Sequence, residues 1–487
     1  MSQNVTVQGA TYSDVPGIEL PKQGGGTAYF ADTSDANATA ADIDSGKTAY
    51  VNGVKLTGTG SGGGGGGEEE TVRFIDYDGT IVASYTPTDF ASLAALPANP
   101  SHTGLTAQGW NWTLADAKTY VATYKYLDIG QSYKTDDDKT RVYITIPADA
   151  DPMTMNIRYK QSTNNGVMVD WGDGNTESYT GTSTTTRTHT YASAGDYVIK
   201  LSVNSGTIDI SSTSTSNNFL GSSSAASREW VTRVEFANNI TSLRRALYKA
   251  TNVSAVTIPQ SVTTFTEYAL CQTNITAVTI PSGTTETGTY LVANSSAKYV
   301  MLPKSLTSIG NCAFQSCNAE VIAIPSGVTG MGNGAFGTCK ELEVVIIPQS
   351  ITTISGNAFS NCFALKEVTI PSSVTELVAS AFAYCYWMEK ITLPHGLTTI
   401  GGTAIAYEYN LKELTIPSTV TSIGNSALSN TYTVKEYHIL ATTPPTAGTS
   451  IFSGIHSGQT IYVPAASLET YKTATNWSGY ADYMVGE

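Results

Sequence analysis

The chain has 487 residues, of which 41% are hydrophobic and only 14% charged, and its formal net charge is −14. This acidic balance argues against nucleic-acid binding, which requires a basic surface, and no run of about 18 apolar residues predicts a membrane-spanning helix or membrane insertion. The polar character comes from Thr, Ser, Asn and Gly, which favour strands and turns, so the predicted fold class is mainly β and multidomain.

Residues 1–60 form the first predicted domain. They lack a basic n-region followed by an apolar h-region, so no secretory signal is expected, and export as part of a virus particle is favoured. The segment from Ala41 to Gly58 is similar to N-terminal pieces of phage and prophage tail-fibre proteins, which implies attachment to other virion structural proteins. Residues 61–70, which include six consecutive glycines, are predicted to be a flexible linker that lets the downstream modules swivel.

Residues 71–147 are predicted to form a small α+β module. The run Val72-Arg-Phe-Ile-Asp-Tyr-Asp-Gly-Thr-Ile-Val82 is typical of a hairpin with Asp78-Gly79 at its turn. Residues 97–112 are predicted to be loop, and Leu114–Tyr124 a short helix.

Residues 148–204 contain three landmarks in order. These are Val169-Asp-Trp-Gly-Asp-Gly174, His189-Thr-Tyr191, and the alternating strand pattern of residues 195–203. The series resembles a PKD-type immunoglobulin-like domain, which implies a β-sandwich. Residues 205–232 are predicted to be a linker and the entry to the next domain.

From residue 233 to 440 an Ile-Pro or Leu-Pro dipeptide recurs every 22 or 23 residues, which indicates about ten stacked repeats. Each repeat begins with a short apolar strand that ends at proline, because proline has no N–H to give to a ladder. A small-plus-bulky pair such as Ala358-Phe359 then fills the core. Units such as Leu365-Lys-Glu-Val-Thr-Ile-Pro371 and Ile309-Gly-Asn-Cys-Ala-Phe314 resemble BspA-type (Treponema-type) leucine-rich repeats, which implies a C-terminal solenoid, with residues 441–487 as its cap.

Four of the six cysteines, at positions 317, 339, 362 and 385, occupy one repeat position and therefore form a column. Neighbouring coils lie about 4.8 Å apart, so disulfides between them are conceivable. Buried free thiols that pack as small hydrophobes are the favoured interpretation.

Aromatic residues recur at two further repeat positions beside the cysteine column, and the core does not explain them. The predicted receptor-contact stripe consists of Phe363, Tyr384, Tyr386, Trp387, Tyr407, Tyr409 and Tyr432. In one interpretation these rings pack on each other or on a neighbouring subunit. In the other, their faces dock sugar rings or anchor a protein receptor.

No other pattern predicts a catalytic, cofactor-binding or metal site. Ser45-Gly-Lys-Thr48 lacks the first glycine of a phosphate-binding loop, and a hairpin turn accounts for it better. Asp170 and Asp173 are predicted to shape a turn, with a weak Ca²⁺ site as the alternative. The five histidines lack metal-ligand spacing, and His189 is interpreted as structural.

The predicted function is a non-enzymatic phage tail-fibre protein, located on the virion, in which the middle modules act as spacers. Its solenoid is expected to bind a bacterial surface glycan or protein receptor, and a homo-oligomer, a trimer by analogy with such fibres, is expected. The alternatives are a bacterial cell-surface adhesin and a purely structural capsid fibre.

Overall fold

The computed structural model describes residues 69, 71–210, 217–222 and 226–487, together with six short strands within residues 1–57. The chain divides into two compact units, residues 1–69 and 70–487. In the first unit the strands pair as three antiparallel hairpins. They are β1 (Val5–Val7), β2 (Ala10–Tyr12), β3 (Gly17–Pro21), β4 (Thr27–Ala31), β5 (Thr48–Val51) and β6 (Val54–Thr57). The rest of the predicted virion-attachment segment, and the glycine-rich linker apart from residue 69, lie outside the described residues.

The second unit begins with a small α+β module. Its elements are β7 (Val72–Ile75), β8 (Ile81–Tyr85), α1 (Pro87–Ser92), β9 (Leu105–Trp110), α2 (Leu114–Tyr124) and β10 (Leu127–Thr135). The sheet order is β8-β7-β10-β9. The predicted hairpin and helix are confirmed, and the side chain of Thr113 caps α2 by accepting a hydrogen bond from the Asp116 N–H at 3.2 Å.

The predicted loop over residues 97–112 is wrong for its second half. Strand β9 pairs antiparallel with β10, with a bulge between Ser132 and Tyr133. The segment is rich in Gly, Ala and Gln, which have low strand propensity, so only its partner strand defines it as a strand.

Seven strands between residues 140 and 209 form two sheets. They are β11 (Thr140–Ile146), β12 (Thr154–Gln161), β13 (Val167–Asp170), β14 (Thr176–Tyr179), β15 (Thr185–Thr190), β16 (Gly195–Val203) and β17 (Ile208–Asp209). The sheet orders are β14-β13-β16-β11 and β15-β12-β17. Side chains from both sheets share one buried core around Trp171, so this region is a β-sandwich.

The remaining structure is a solenoid with two parallel strand ladders. The first ladder contains the strands that precede the repeat prolines: Val231–Glu235, Ala255–Thr257, Ala277–Thr279, Tyr299–Met301, Val321–Ala323, Val344–Ile346, Glu367–Thr369, Lys390–Thr392, Glu413–Ile416, Glu436–Ile439, Thr460–Val463 and Met484–Gly486. The second ladder contains Ser242–Leu243, Thr264–Phe265, Ser308–Ile309, Gly330–Met331, Thr353–Ile354, Glu376–Leu377, Thr399–Ile400, Ser422–Ile423 and Thr446–Ala447. Short strands at Asn217–Asn218 and Gly221–Ser222 and a 3-10 helix at Ala226–Arg228 precede the solenoid.

Stacked phenylalanines fill the interior of the solenoid. Phe314, Phe336, Phe359 and Phe382 are fully buried, and consecutive ring centroids lie 5.3–5.5 Å apart with nearly parallel planes. This is the plug that the small-plus-bulky pairs predict. A single repeat leaves its apolar face exposed, and stacking the repeats buries that face along the whole domain.

The sandwich and the solenoid share one sheet. Strand Val231–Glu235 pairs antiparallel with β11 on one side and parallel with Ala255–Thr257 on the other. One hydrophobic cluster therefore runs from the sandwich through all the repeats. The sandwich covers the apolar first coil of the solenoid, as a capping unit does in repeat proteins.

The opposite end is closed by residues 465–487. Two 3-10 helices, Ala465–Ser467 and Ser478–Tyr483, flank α3 (Leu468–Thr473). The Trp477 indole N–H donates to the Pro445 carbonyl at 2.8 Å, and the Tyr471 hydroxyl donates to the Ala441 carbonyl at 2.7 Å. Both rings are buried, so they cover the last coil without leaving a polar atom unpaired.

The α+β module packs against the first ladder of the solenoid, which corrects its interpretation as a spacer. The Trp112 indole N–H donates to the Leu302 carbonyl at 2.8 Å, and the Tyr120 hydroxyl donates to the Ile324 carbonyl at 2.7 Å. Ile75 of the module forms an apolar cluster with Tyr299 and Met301. The module therefore covers the first ladder up to about residue 346, and the later strands remain open.

Candidate functional site

The seven residues of the predicted stripe lie on the turns that follow the phenylalanine plugs, in repeats that the module does not cover. We call them, together with His456, the aromatic stripe. Phe363, Tyr386, Tyr409, Tyr432 and His456 form its first column, and Tyr384 and Tyr407 form its second. Trp387 lies next to the first column in the sequence.

The rings of the first column stack on one another. Centroids are 4.9 Å apart from Phe363 to Tyr386 and from Tyr386 to Tyr409, with planes within 3° of parallel. The spacing widens to 6.0 Å at Tyr432 and 6.4 Å at His456. Neighbouring rings therefore cover most of the ring faces, and the column presents ring edges and phenol hydroxyls to solvent. This agrees with the interpretation that the rings pack on each other, and it corrects the expectation that their faces dock sugars.

The second column occupies a backbone position that disfavours large side chains. Tyr384 and Tyr407 both have φ of 65°, in the left-handed region, where the corresponding residues of other repeats include Asn361 and Asn430. Asparagine adopts this conformation readily, whereas a bulky residue is uncommon there. The two rings stack 4.3 Å apart, and Tyr384 also meets Tyr386 edge-on at 6.2 Å. Strain of this kind at consecutive positions is a feature of functional surfaces.

Trp387 is the most exposed large hydrophobic side chain of the described residues, at 63%. No ring contact to it occurs within that part of the chain. Its indole face is thus open, unlike the faces in the columns. Trp387 combines an open aromatic face with a nearby row of phenol hydroxyls, which is the chemistry of a contact residue at an interface.

The phenols of the stripe are uncharged at neutral pH. Burial, followed by the neighbouring phenols Tyr386 and Tyr432, raises the pKa of Tyr409, and burial together with a hydrogen bond to Tyr407 raises the pKa of Tyr384. Lys340 lies 5.8 Å from the centroid of the Phe363 ring, at the end of the first column. The stripe is therefore a neutral surface of hydrogen-bonding hydroxyls with one cation at its end.

The cysteine column lies directly beneath the stripe, and all six cysteines are unpaired. The thiols of Cys339, Cys362 and Cys385 each donate to the carbonyl of the plug phenylalanine one repeat earlier, at 3.1–3.2 Å. Cys317 and Cys339 have their sulfur atoms 3.5 Å apart and remain thiols. The structure thus has the buried free thiols that the sequence favours.

A buried carboxyl group continues the cysteine column. Glu408 is fully buried between Tyr407 and Tyr409, and its Oε1 accepts a hydrogen bond from the Cys385 N–H at 3.2 Å. Its Oε2 has no partner among the described residues. Burial raises the pKa of Glu408 well above its ordinary value. The sequence analysis missed this residue, although its distance of 23 positions from Cys385 shows that it lies in the column.

Two other parts of the aromatic arrangement were missed. His456 follows Tyr432 by 24 residues, because one repeat is longer, as the pairing of Glu436 with Thr460 shows. A separate group lies in the early repeats, where Tyr268 and Tyr290 stack 4.8 Å apart and the Arg245 guanidinium lies 4.7 Å from the Tyr268 ring centroid. The 22-residue interval between these tyrosines is its sequence signal.

The turn residues of the sandwich have the roles that the sequence predicts. The carboxylates of Asp170 and Asp173 accept hydrogen bonds from the N–H groups of Gly172 and Asn175, both at 3.0 Å. The His189 ring stacks on Trp171 and contacts Asp173 at 2.7 Å. In the described residues, no three His, Cys, Asp or Glu side chains come together as a metal site, and no helix is long and apolar enough to span a membrane.

Comparison with protein families places the repeats. A model of the BspA type leucine rich repeat region matches residues 195–320 and 307–435, with six copies in all. A comparison with curated proteins finds no match. The C-terminal part of this mainly β chain is a leucine-rich-repeat β-solenoid.

Solved structures of leucine-rich repeat proteins are also similar. A protein from Bacteroides ovatus is 27% identical, with a TM-score of 0.43, over 48% of this chain and 66% of that one. One from Eubacterium ventriosum is 25% identical, with a TM-score of 0.36, over 55% and 74%. A leucine rich cell surface protein from Faecalibacterium prausnitzii is 20% identical, with a TM-score of 0.29, over 45% and 78%.

Proposed function

We propose that this protein is a non-enzymatic adhesin displayed at a bacterial surface, and that the aromatic stripe binds its receptor. Solenoids of stacked repeats present extended surfaces that bind partners. Here the α+β module covers the early strands, so the later repeats, which carry the stripe, are the accessible part. BspA-type repeats and PKD-like sandwiches, the class we assign to residues 140–209, are common in bacterial adhesins.

The open indole face of Trp387 beside the stacked columns is the observation that carries this proposal. A ligand that lies on the indole reaches the hydroxyls of Tyr386 and Tyr409 without separating the stacked rings. The columns are rigid, so little conformational entropy is lost on binding. The receptor is a surface glycan or a protein with a polar, neutral contact face.

We expect Trp387→Ala to weaken binding at least tenfold, because truncating an exposed aromatic anchor removes a hot spot while the core stays intact. The measurement is saturable binding of the fluorescently labelled full-length chain to panels of bacterial and epithelial cells. Met168→Ala, which truncates an apolar side chain of the sandwich that is 42% exposed, is the matched control. Unchanged binding of the Trp387→Ala protein, or no binding by the wild type to any cell, contradicts the proposal.

A virion tail fibre is the second candidate, and it rests on the likeness of residues 1–60 to tail-fibre proteins. It uses the same stripe against a bacterial receptor, with the first 60 residues attached to the particle, and a homo-oligomer would add multivalent binding. Antibody against residues 1–60 distinguishes the candidates, because it labels the cell envelope for an adhesin and phage tails for a fibre. Label on the capsid would instead support a structural fibre.

A further inference from the structure

The second ladder is interrupted once, in the early repeats. Thr264–Phe265 pairs with the strand before it, and Glu286 forms only an isolated bridge with Ser308 on the other side. No strand pairing joins Phe265 to the coil that contains Glu286 in this described region. Where other repeats place isoleucine, leucine or methionine in the core, this coil has Thr287, whose hydroxyl accepts a hydrogen bond from the Gly310 N–H at 2.9 Å.

A polar cleft of about 560 Å³ opens at the interruption. It is lined by Arg244, Thr263, Thr264, Phe265, Thr266, Glu267, Thr285, Glu286, Thr287, Gly288, Thr289 and Gly310. The module packs on the first ladder, so this cleft on the second ladder is accessible from solvent. Its volume is in the range of pockets that hold small ligands.

One wall of the cleft contains an unpaired backbone donor. In the regular repeats a glycine N–H bonds to the previous coil, for example Gly332 to the Ile309 carbonyl at 2.8 Å and Gly424 to the Ile400 carbonyl at 2.7 Å. The corresponding Gly288 N–H has no such partner within residues 226–487, although Gly288 is buried. Buried backbone donors are nearly always satisfied, so a bound water or ligand group is expected here.

Gly288 is also required for the shape of this wall. A Cβ atom at this position would lie 1.6 Å from the Thr266 carbonyl oxygen, so only glycine fits. The two coils therefore touch at Gly288 and separate above it. The interruption is a defined feature of the backbone rather than loose packing.

The charges around the cleft balance. Glu267 forms ion pairs with Arg244 and, at 3.3 Å, with Arg245, and the hydrogen bond to Arg244 lowers the pKa of Glu267. Glu286 is exposed and is the second acidic group. With two arginines, two glutamates and many threonine hydroxyls, the cleft suits a neutral ligand that is rich in hydroxyl groups.

Aromatic rings adjoin the cleft at the end of both walls. Tyr268 directly follows Glu267, Tyr290 directly follows Thr289, and the Tyr268 N–H donates to the Thr289 carbonyl at 2.9 Å. The two rings stack with planes 3° apart. Hydroxyl-binding groups next to an aromatic pair are the combination that binds the polar rim and apolar face of a sugar ring.

We propose that this cleft is a second ligand site, which binds a neutral saccharide unit independently of the aromatic stripe. The saccharide hydroxyls pair with the threonines, Glu286 and the Gly288 N–H. The site goes beyond the proposed adhesin function, because it lies on different repeats and uses a gap in the ladder instead of exposed rings.

The test is saturation-transfer NMR of the full-length chain with glucose, galactose, N-acetylglucosamine and their short oligomers. Thr264→Trp fills the cleft from an exposed position. Thr399→Trp is the matched control, because Thr399 has the same register position in an intact part of the ladder. We expect transfer to at least one saccharide with the wild type and the control, and at least a tenfold weaker affinity with Thr264→Trp.

Glu286→Gln is a second variant that keeps the size of an exposed side chain, so it tests the site even if Thr264→Trp fails to fold. We expect it to weaken saccharide binding three- to tenfold. Two outcomes overturn the proposal: no transfer to any saccharide with the wild type, or transfer that Glu286→Gln and a folded Thr264→Trp leave unchanged. Transfer that Trp387→Ala abolishes instead places the saccharide on the stripe, which also overturns it.

Discussion

Glu408 is a carboxyl group placed where other repeats have a cysteine. The column position accepts a small side chain with a weak donor, and glutamate satisfies only one of its two oxygens there. The cost of burying a charge is avoided when the group stays protonated, which explains the direction of its pKa shift.

The pKa of Glu408 makes stability depend on pH. Because the folded pKa is higher than the unfolded one, the stabilisation is complete below the unfolded pKa, near 4.5, and is lost as pH rises toward the folded value. The slope for one group reaches about 1.4 kcal/mol per pH unit. We expect Glu408→Gln to flatten the fall in unfolding free energy between pH 5 and 8, measured by urea denaturation. Identical pH profiles for the two proteins would contradict this.

The cysteines provide a second prediction at this scale. Titration of the denatured, unreduced protein is expected to find close to six thiols, and two or fewer would sink the free-thiol interpretation. In the native protein Cys312, the one partly exposed cysteine of the six, should react first with a thiol reagent. Burial raises the pKa of Cys271 to about 12, so that thiol should react slowly.

At the scale of elements, each coil depends on its neighbours. Phe336 is stacked between Phe314 and Phe359 and has no exposed surface. Replacing it with alanine leaves a cavity that adjacent repeats share.

We expect Phe336→Ala to lower the free energy of unfolding by about 3–5 kcal/mol, because a large buried ring is lost and the cavity cannot close. Chemical denaturation of the full-length protein measures it. Phe363→Ala is the matched control: this ring lies in the half-exposed stripe, and its loss should destabilise less. Equal effects of the two substitutions would show that the interior column is not the main support of the coils.

At the scale of the whole molecule, the sandwich, the α+β module and the solenoid act as one unit. The solenoid strand Val231–Glu235 is part of the sandwich sheet, and the module covers apolar residues such as Tyr299 and Met301 on the first ladder. Neither end of this arrangement can be removed without exposing core.

Truncations test this unity. Removal of residues 1–69 should leave the melting temperature within about 2 °C of the wild type, since they form a separate unit. A fragment that starts at residue 233 should aggregate or melt at a much lower temperature, because the cut lies within a strand and exposes the first coil. A soluble, cooperatively folded fragment of this kind would show that the solenoid needs no N-terminal cover.

The repeats and the columns could be predicted from the sequence. A period of 22 or 23 residues specifies which side chains stand above one another, so the phenylalanine plug, the cysteine column and most of the stripe follow from counting. His456 escaped because a 24-residue repeat shifts the count. The orientation of the rings could not be predicted, because it depends on the left-handed backbone at Tyr384 and Tyr407.

The placement of the module was decided only by the tertiary structure, although its trace is in the sequence. Outward positions of the first ladder change from Ala277, Tyr299 and Met301 to Glu367 and Lys390 where the cover ends. Periodicity reports contacts between consecutive repeats, which are local in the chain. Contacts such as that of Trp112 with Leu302 join segments 190 residues apart, and no local pattern specifies which surface will cover which.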